Sequence, residues 1–219
     1  MRGLPGVVLL LFLLAGEPAG AAGFLRELPV EPDGTLRIAL DRGNVDVLSH
    51  DADAVRVEAQ SRGVGASSVH FDLVPAGGEL VLTGASDEWL SLLRSGPTVR
   101  VRAWVPRRYA VDVRTAGGDV KVGGVAGSVV VRTDAGSVEV AEVEGPVDVE
   151  TRRGGIAVAV PAAIGAELDA SSEGGRVLVD RAVDAKGSPD PGRMEGRING
   201  GGPMLRLRAS GGSIRVRTD

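Results

Sequence analysis

Apolar and polar residues alternate in short runs along this chain, and the runs recur. Val111-Asp112-Val113-Arg114-Thr115 leads through Ala116-Gly117-Gly118-Asp119 to Val120-Lys121-Val122. Eighteen residues on, 129–133 leads through Asp134-Ala135-Gly136-Ser137 to Val138-Glu139-Val140. Eighteen further, 147–151 leads through Arg152-Arg153-Gly154-Gly155 to Ile156-Ala157-Val158. Two later copies start at Leu168 and Leu205 and reach Val177-Leu178-Val179 and Ile214-Arg215-Val216.

Each copy predicts strand, four-residue turn, strand. Alternation buries one face of each strand, and a glycine in every turn permits a positive φ at a corner. A third apolar position follows the second strand (Val125, Val143, Ile164, Val183) and predicts a third, shorter side. Stacked in chain order, the copies form ladders such as Val111, Val129, Val147, Leu168 and Leu205, with neighbours about 4.8 Å apart. One copy alone cannot bury its inner face, so the stack is the folding unit.

The same pattern recurs earlier with less regular spacing. Leu36-Arg37-Ile38-Ala39-Leu40 leads through Asp41-Arg42-Gly43-Asn44 to Val45-Asp46-Val47, and Phe71-Asp72-Leu73 leads through Ala76-Gly77-Gly78-Glu79 to Leu80-Val81-Leu82. Strand-like runs also lie at 55–58 and 99–105. Antiparallel hairpins in this half are expected to cover the open end of the stack. Residues 86–94 start with an N-cap serine and acids and predict a short helix, its Trp89, Leu90, Leu92 and Leu93 plugging the core. Residues 184–202, rich in Gly and Pro, predict a long loop or a short hairpin.

The expected fold is all-β: a single-domain β-solenoid, a β-helix or β-roll, coiled right-handed as parallel crossovers are. Aromatics make up 3% of the sequence, so Val, Leu and Ile must fill the core. There is no cysteine, which excludes disulfides, thiolate metal sites and a lipid-anchoring cysteine. The net charge is −4 with both signs dispersed, and no basic patch suits nucleic acid. At the start, Met1-Arg2 precedes an apolar run over 4–15 and the small residues Ala19-Gly20-Ala21-Ala22. This pattern predicts a signal peptide over 1–22, too short to span a bilayer comfortably. The mature domain is then 23–219, irregular strands over 24–105 and regular repeats over 106–219. No later segment predicts a membrane span, and the expected location is the periplasm or cell surface.

Val105-Pro106-Arg107-Arg108 before Val111-Asp112-Val113, the serial turn-Gly-strand units, and Gly196-Arg197-Ile198-Asn199-Gly200-Gly201-Gly202 running into Leu205-Arg206-Leu207 carry a resemblance. Over about 30–219 the chain resembles the bacterial β-strand-repeat proteins grouped as candidate adhesins in domain of unknown function 4097. The resemblance implies a β-solenoid or β-roll in a cell-envelope setting. It brings no catalytic residues.

Candidate chemistry is sparse. His50 lies in Ser49-His50-Asp51-Ala52-Asp53, which reads as a solvated turn more readily than as a metal site, and His70 precedes Phe71 in a strand. No G-x-S-x-G elbow exists, and no G-K-[ST] follows a glycine turn. The turns AGGD, DAGS, RRGG, SEGG and SGGS do not keep the carboxylate that a calcium β-roll needs. Outward Arg114, Arg132, Glu150, Lys121 and Glu139 are placed to pair along the stack, but read more readily as a solvated, mixed-charge face. The expectation is therefore no catalytic, cofactor-binding or metal-binding residue. The expected function is a non-enzymatic, adhesin-like envelope scaffold whose partner is an envelope protein or a surface polysaccharide. The alternatives are a polysaccharide-binding or polysaccharide-cleaving β-helix and an envelope stress-signalling component.

Overall fold

Each repeat sends one strand to each of two sheets. The computed structural model describes residues 21–86, 97–180, 183–186 and 190–218. Six strands, β2 (Thr35–Leu40), β8 (Ala110–Thr115), β10 (Val129–Ala135), β12 (Val147–Arg153), β14 (Ala166–Ser172) and β18 (Met204–Ala209), lie in a 10-stranded sheet. Their successors, β3 (Asn44–His50), β9 (Val120–Gly123), β11 (Val138–Ala141), β13 (Ile156–Val160), β15 (Val177–Val179) and β19 (Ile214–Thr218), lie in a 9-stranded sheet. The fold is all-β: among the described residues there is no α-helix, and the one helical turn is a 3-10 segment at Ala66–Ser68.

The eighteen-residue interval is the register. Val131 lies between Val113 and Val149 in parallel ladders, and Val140 between Val122 and Val158. All six are essentially solvent-free. Full burial of such a side chain contributes about 1.5–3 kcal/mol before ordering entropy is subtracted. On the expected third side, Val125 and Val143 are buried, and Ile164 and Val183 are partly buried against the same core.

The order of the rungs differs from the order of the chain. The 10-stranded sheet runs β6 (Glu79–Ser86), β2, β8, β10, β12, β18, β14. The last copy thus lies inside the stack: Leu205 pairs with Val147 on one side and Leu168 on the other, and Ile214 with Ile156 and Val177. The cause is local. β17 (Arg193–Ile198) pairs antiparallel with β14, and β16 (Val183–Ala185) pairs antiparallel with β17, so the Gly/Pro-rich segment is a hairpin that covers the far edge of β14. The returning chain fills the slot facing β12.

The N-terminal end closes with antiparallel strands. β5 (Val69–Ala76) and β6 form a hairpin in the first sheet, not a two-sheet copy. Its turn glycines, Gly77 and Gly78, have φ of 61° and 88°, the conformation of a two-residue hairpin. In the second sheet β1 (Ala21–Pro29) pairs with β4 (Ala54–Arg62), and β4 with β7 (Thr98–Pro106). Phe24 of β1 meets Phe71 of β5 with ring centroids 6.0 Å apart, linking the two sheet edges. The helix and plug expected over 86–94 lie outside the described residues, apart from Ser86 at the end of β6.

The corner glycines are set by the rung spacing. A Cβ on Gly118, Gly136, Gly154 or Gly212 would lie 2.0–2.1 Å from the carbonyl oxygen of Gly43, Gly118, Gly136 or Gly154 respectively. A polar ladder runs beside them. The buried hydroxyls of Thr115, Thr133 and Thr151 donate to the carbonyls of Gly117, Ala135 and Gly136 at 3.0, 3.1 and 3.2 Å. Ser172 Oγ donates to Gly212 O at 2.6 Å. Thus the corner is both tight and satisfied.

Candidate functional site

The outward positions are in register as well, so charged side chains form columns across the strands. On the 10-stranded sheet one column carries Arg37, Asp112, Val130, Asp148, Arg206 and Asp169. The adjacent column carries Ala39, Arg114, Arg132, Glu150 and Arg208. Asp112, buried, receives Arg37 Nε and Arg114 Nη2, both at 3.2 Å. Arg132 reaches Asp148 at 2.8 Å and Glu150 at 3.4 Å. The face read from sequence as solvated mixed charge is therefore an ion-paired surface with rungs cross-linked by arginine.

On the 9-stranded sheet, Lys121 meets Glu139 at 2.9 Å, and its ammonium pKa is raised by that hydrogen bond and charge. Arg193 is held more firmly protonated in the same way by Glu195. Tyr109, the single tyrosine, is 2% exposed, and burial pushes its phenol pKa up.

A groove of about 570 Å³ opens on the outside of the 10-stranded sheet, where β2, β6, β8, β10 and β12 reach their corners. Ala39, Thr83, Ala85 and Ala116 form its low floor, and Arg114, Arg132, Glu150, Asp134, Arg152 and Asp41 stand around it. Arg152 Nε lies 3.3 Å from Asp134. Sequence reasoning named Arg114, Arg132 and Glu150 but missed the groove. It is a depression made by small residues at Ala39, Ala85 and Ala116, positions that carry no chemical signature of their own.

The other candidates have structural roles. His50 Nε2 lies 2.7 Å from Ala54 O and so ties the β3–β4 turn; His70 is exposed on the edge strand β5. Among the described residues no three His, Cys, Asp or Glu side chains gather as a metal-ligand set. The acid of the AGGD turn, Asp119, accepts the Ser137 N–H at 2.8 Å, and Asn44 accepts the Asp119 N–H at 3.0 Å. Turn side chains thus pair with the next rung.

No family model matches the sequence, and no curated protein matches it. Among solved structures, a candidate cell adhesion protein from Clostridium sporogenes matches with a TM-score of 0.62 at 13% identity, over 90% of this chain and 100% of that one. A candidate adhesin from Bacteroides fragilis has a TM-score of 0.49 at 12% identity, over 90% of this chain and 97% of that one. The Clostridium likeness shows a common fold. No helix among the described residues is long and apolar enough to cross a membrane.

Proposed function

We propose that this chain is a non-enzymatic, exported cell-envelope protein whose single β-solenoid domain, coiled right-handed, serves adhesion through its outer faces. The observation that carries the reading is the parallel stack itself. Each copy places one strand in each sheet, and the inner positions form one aliphatic core. What remains for recognition is a broad, ion-paired exterior, suited to contact with an extended surface. The fold shared with the Clostridium candidate cell adhesion protein supports this reading, as does the signal-peptide pattern over 1–22. The partner is an envelope protein or a surface polysaccharide.

Two measurements test it. The exported protein should begin near Ala22 or Gly23 on N-terminal sequencing; an intact Met1 on a membrane-bound product would overturn the export reading. Beads coated with the exported protein should retain intact bacterial cells well above bare beads, and equal retention would remove the adhesive role.

A further inference from the structure

We propose that the groove at Thr83, Ala116 and Arg152 is a binding site for a neutral glycan, recognised through vicinal hydroxyl groups. The inference deepens the adhesive reading by naming a ligand class, and rests on that reading only for its biological setting.

The size fits a small-molecule site: about 570 Å³ lies within the range of roughly 300–1,000 Å³ typical of ligand pockets. The charge balance then selects the ligand. Three guanidinium groups and three carboxylates line the groove, so it carries no net charge to attract an anion. Its arginines are also engaged: Arg114 with Asp112, Arg132 with Asp148 and Glu150, Arg152 with Asp134. An anionic ligand would have to displace one of these carboxylates and leave it unpaired.

A pair of neighbouring hydroxyls faces no such competition. One can accept from a guanidinium N–H while the other donates to a carboxylate oxygen, and the ion pair stays intact. The donors are there: a guanidinium has five N–H groups, and the contact to Asp134 uses one nitrogen of Arg152. The Arg152 side chain is 71% exposed, and those of Glu150 and Asp134 are 58% and 47% exposed, so these groups are open to solvent. Arg132 acts differently. It also donates to the carbonyls of Val131 and Asp148, at 3.2 and 3.0 Å, and so holds Glu150 in place. The methyl groups of Ala39, Ala85 and Ala116 offer a floor for the C–H face of a sugar ring.

A peptide strand suits the groove poorly. β2, β8 and β10 each have a strand on both sides, so their backbone groups are occupied and give an added strand nothing to pair with.

The test is native affinity electrophoresis of the exported protein in gels containing mannan, dextran or galactomannan, with polygalacturonate as the anionic comparison. Retardation is expected in at least one neutral gel. Thr83→Arg, an exposed change that fills the floor, should weaken it at least tenfold with the urea midpoint unchanged. Arg152→Ala should weaken it as well. No retardation in any neutral gel, retardation by polygalacturonate alone, or variants that migrate like the parent would each overturn the proposal. The two readings separate cleanly: cells retained on beads without sugar retention sinks the groove alone, and sugar retention without cell binding sinks adhesion.

Discussion

Two glycines in turns of this chain do different work. Gly136 has φ of 131° and a position fixed by the rung below, where any Cβ would lie 2.1 Å from the Gly118 carbonyl oxygen. Gly77 has φ of 61°, and a Cβ there would meet nothing within 4 Å. Gly77→Ala therefore carries the left-handed backbone penalty alone, about 1–2 kcal/mol. Gly136→Ala adds a clash that moves backbone, and should cost more than about 3 kcal/mol. Urea midpoints compare the two, and equal losses would contradict the carbonyl contact. The buried Tyr109 gives a pH signature. Its raised phenol pKa means that the unfolded chain ionises first, so its contribution to stability is full below about pH 10 and is lost as pH rises through the higher folded value. Tyrosinate absorbance should titrate above the ordinary value in the native protein and return to it in urea; a native midpoint at the ordinary value would contradict burial of the phenol.

At the scale of elements, the period-two pattern was legible because each repeat strand has one face in the core. Val131 is solvent-free and Arg132 points outward. Val131→Asp places an unpaired carboxylate in the aliphatic stack and should cost several kcal/mol. Arg132→Asp sets a third carboxylate beside Asp148 and Glu150 and should cost about 1 kcal/mol, less in high salt. Urea midpoints in the reverse order would turn the strand over. Less legible was the 71–82 segment, where Gly-Gly serves a hairpin turn but resembles a sheet-to-sheet corner; the composition is shared, and only the positive φ of both residues separates them. The groove was not legible at all, since small side chains at Ala39 and Ala85 become a floor only when β2 and β6 are neighbours.

For the molecule as a whole, the repeat was readable and its order was not. One signal was present: Val111, Val129 and Val147 are eighteen positions apart, but Leu168 follows Val147 by twenty-one. Those extra residues carry the chain past the slot that β18 and β19 occupy. The slot has a measurable consequence. Amides of β18 and β19, paired on both sides, should exchange with deuterium as slowly as those of β10 and β11, and more slowly than those of the edge strand β15. Fast exchange at 205–209 and 214–216 would contradict the interleaved order.

Interleaving also bears on synthesis and quality control. A polypeptide stopped after β15 but before residue 204 leaves β12 and β14 without the strand that joins them, and β13 and β15 likewise. Such a product carries two gaps in its interior, each bounded by two open strand edges, surfaces that invite proteolysis or aggregation. The segment over 204–218 therefore acts as a keystone: vectorial emergence of the chain can build rungs one by one, but the arch closes only when that segment arrives.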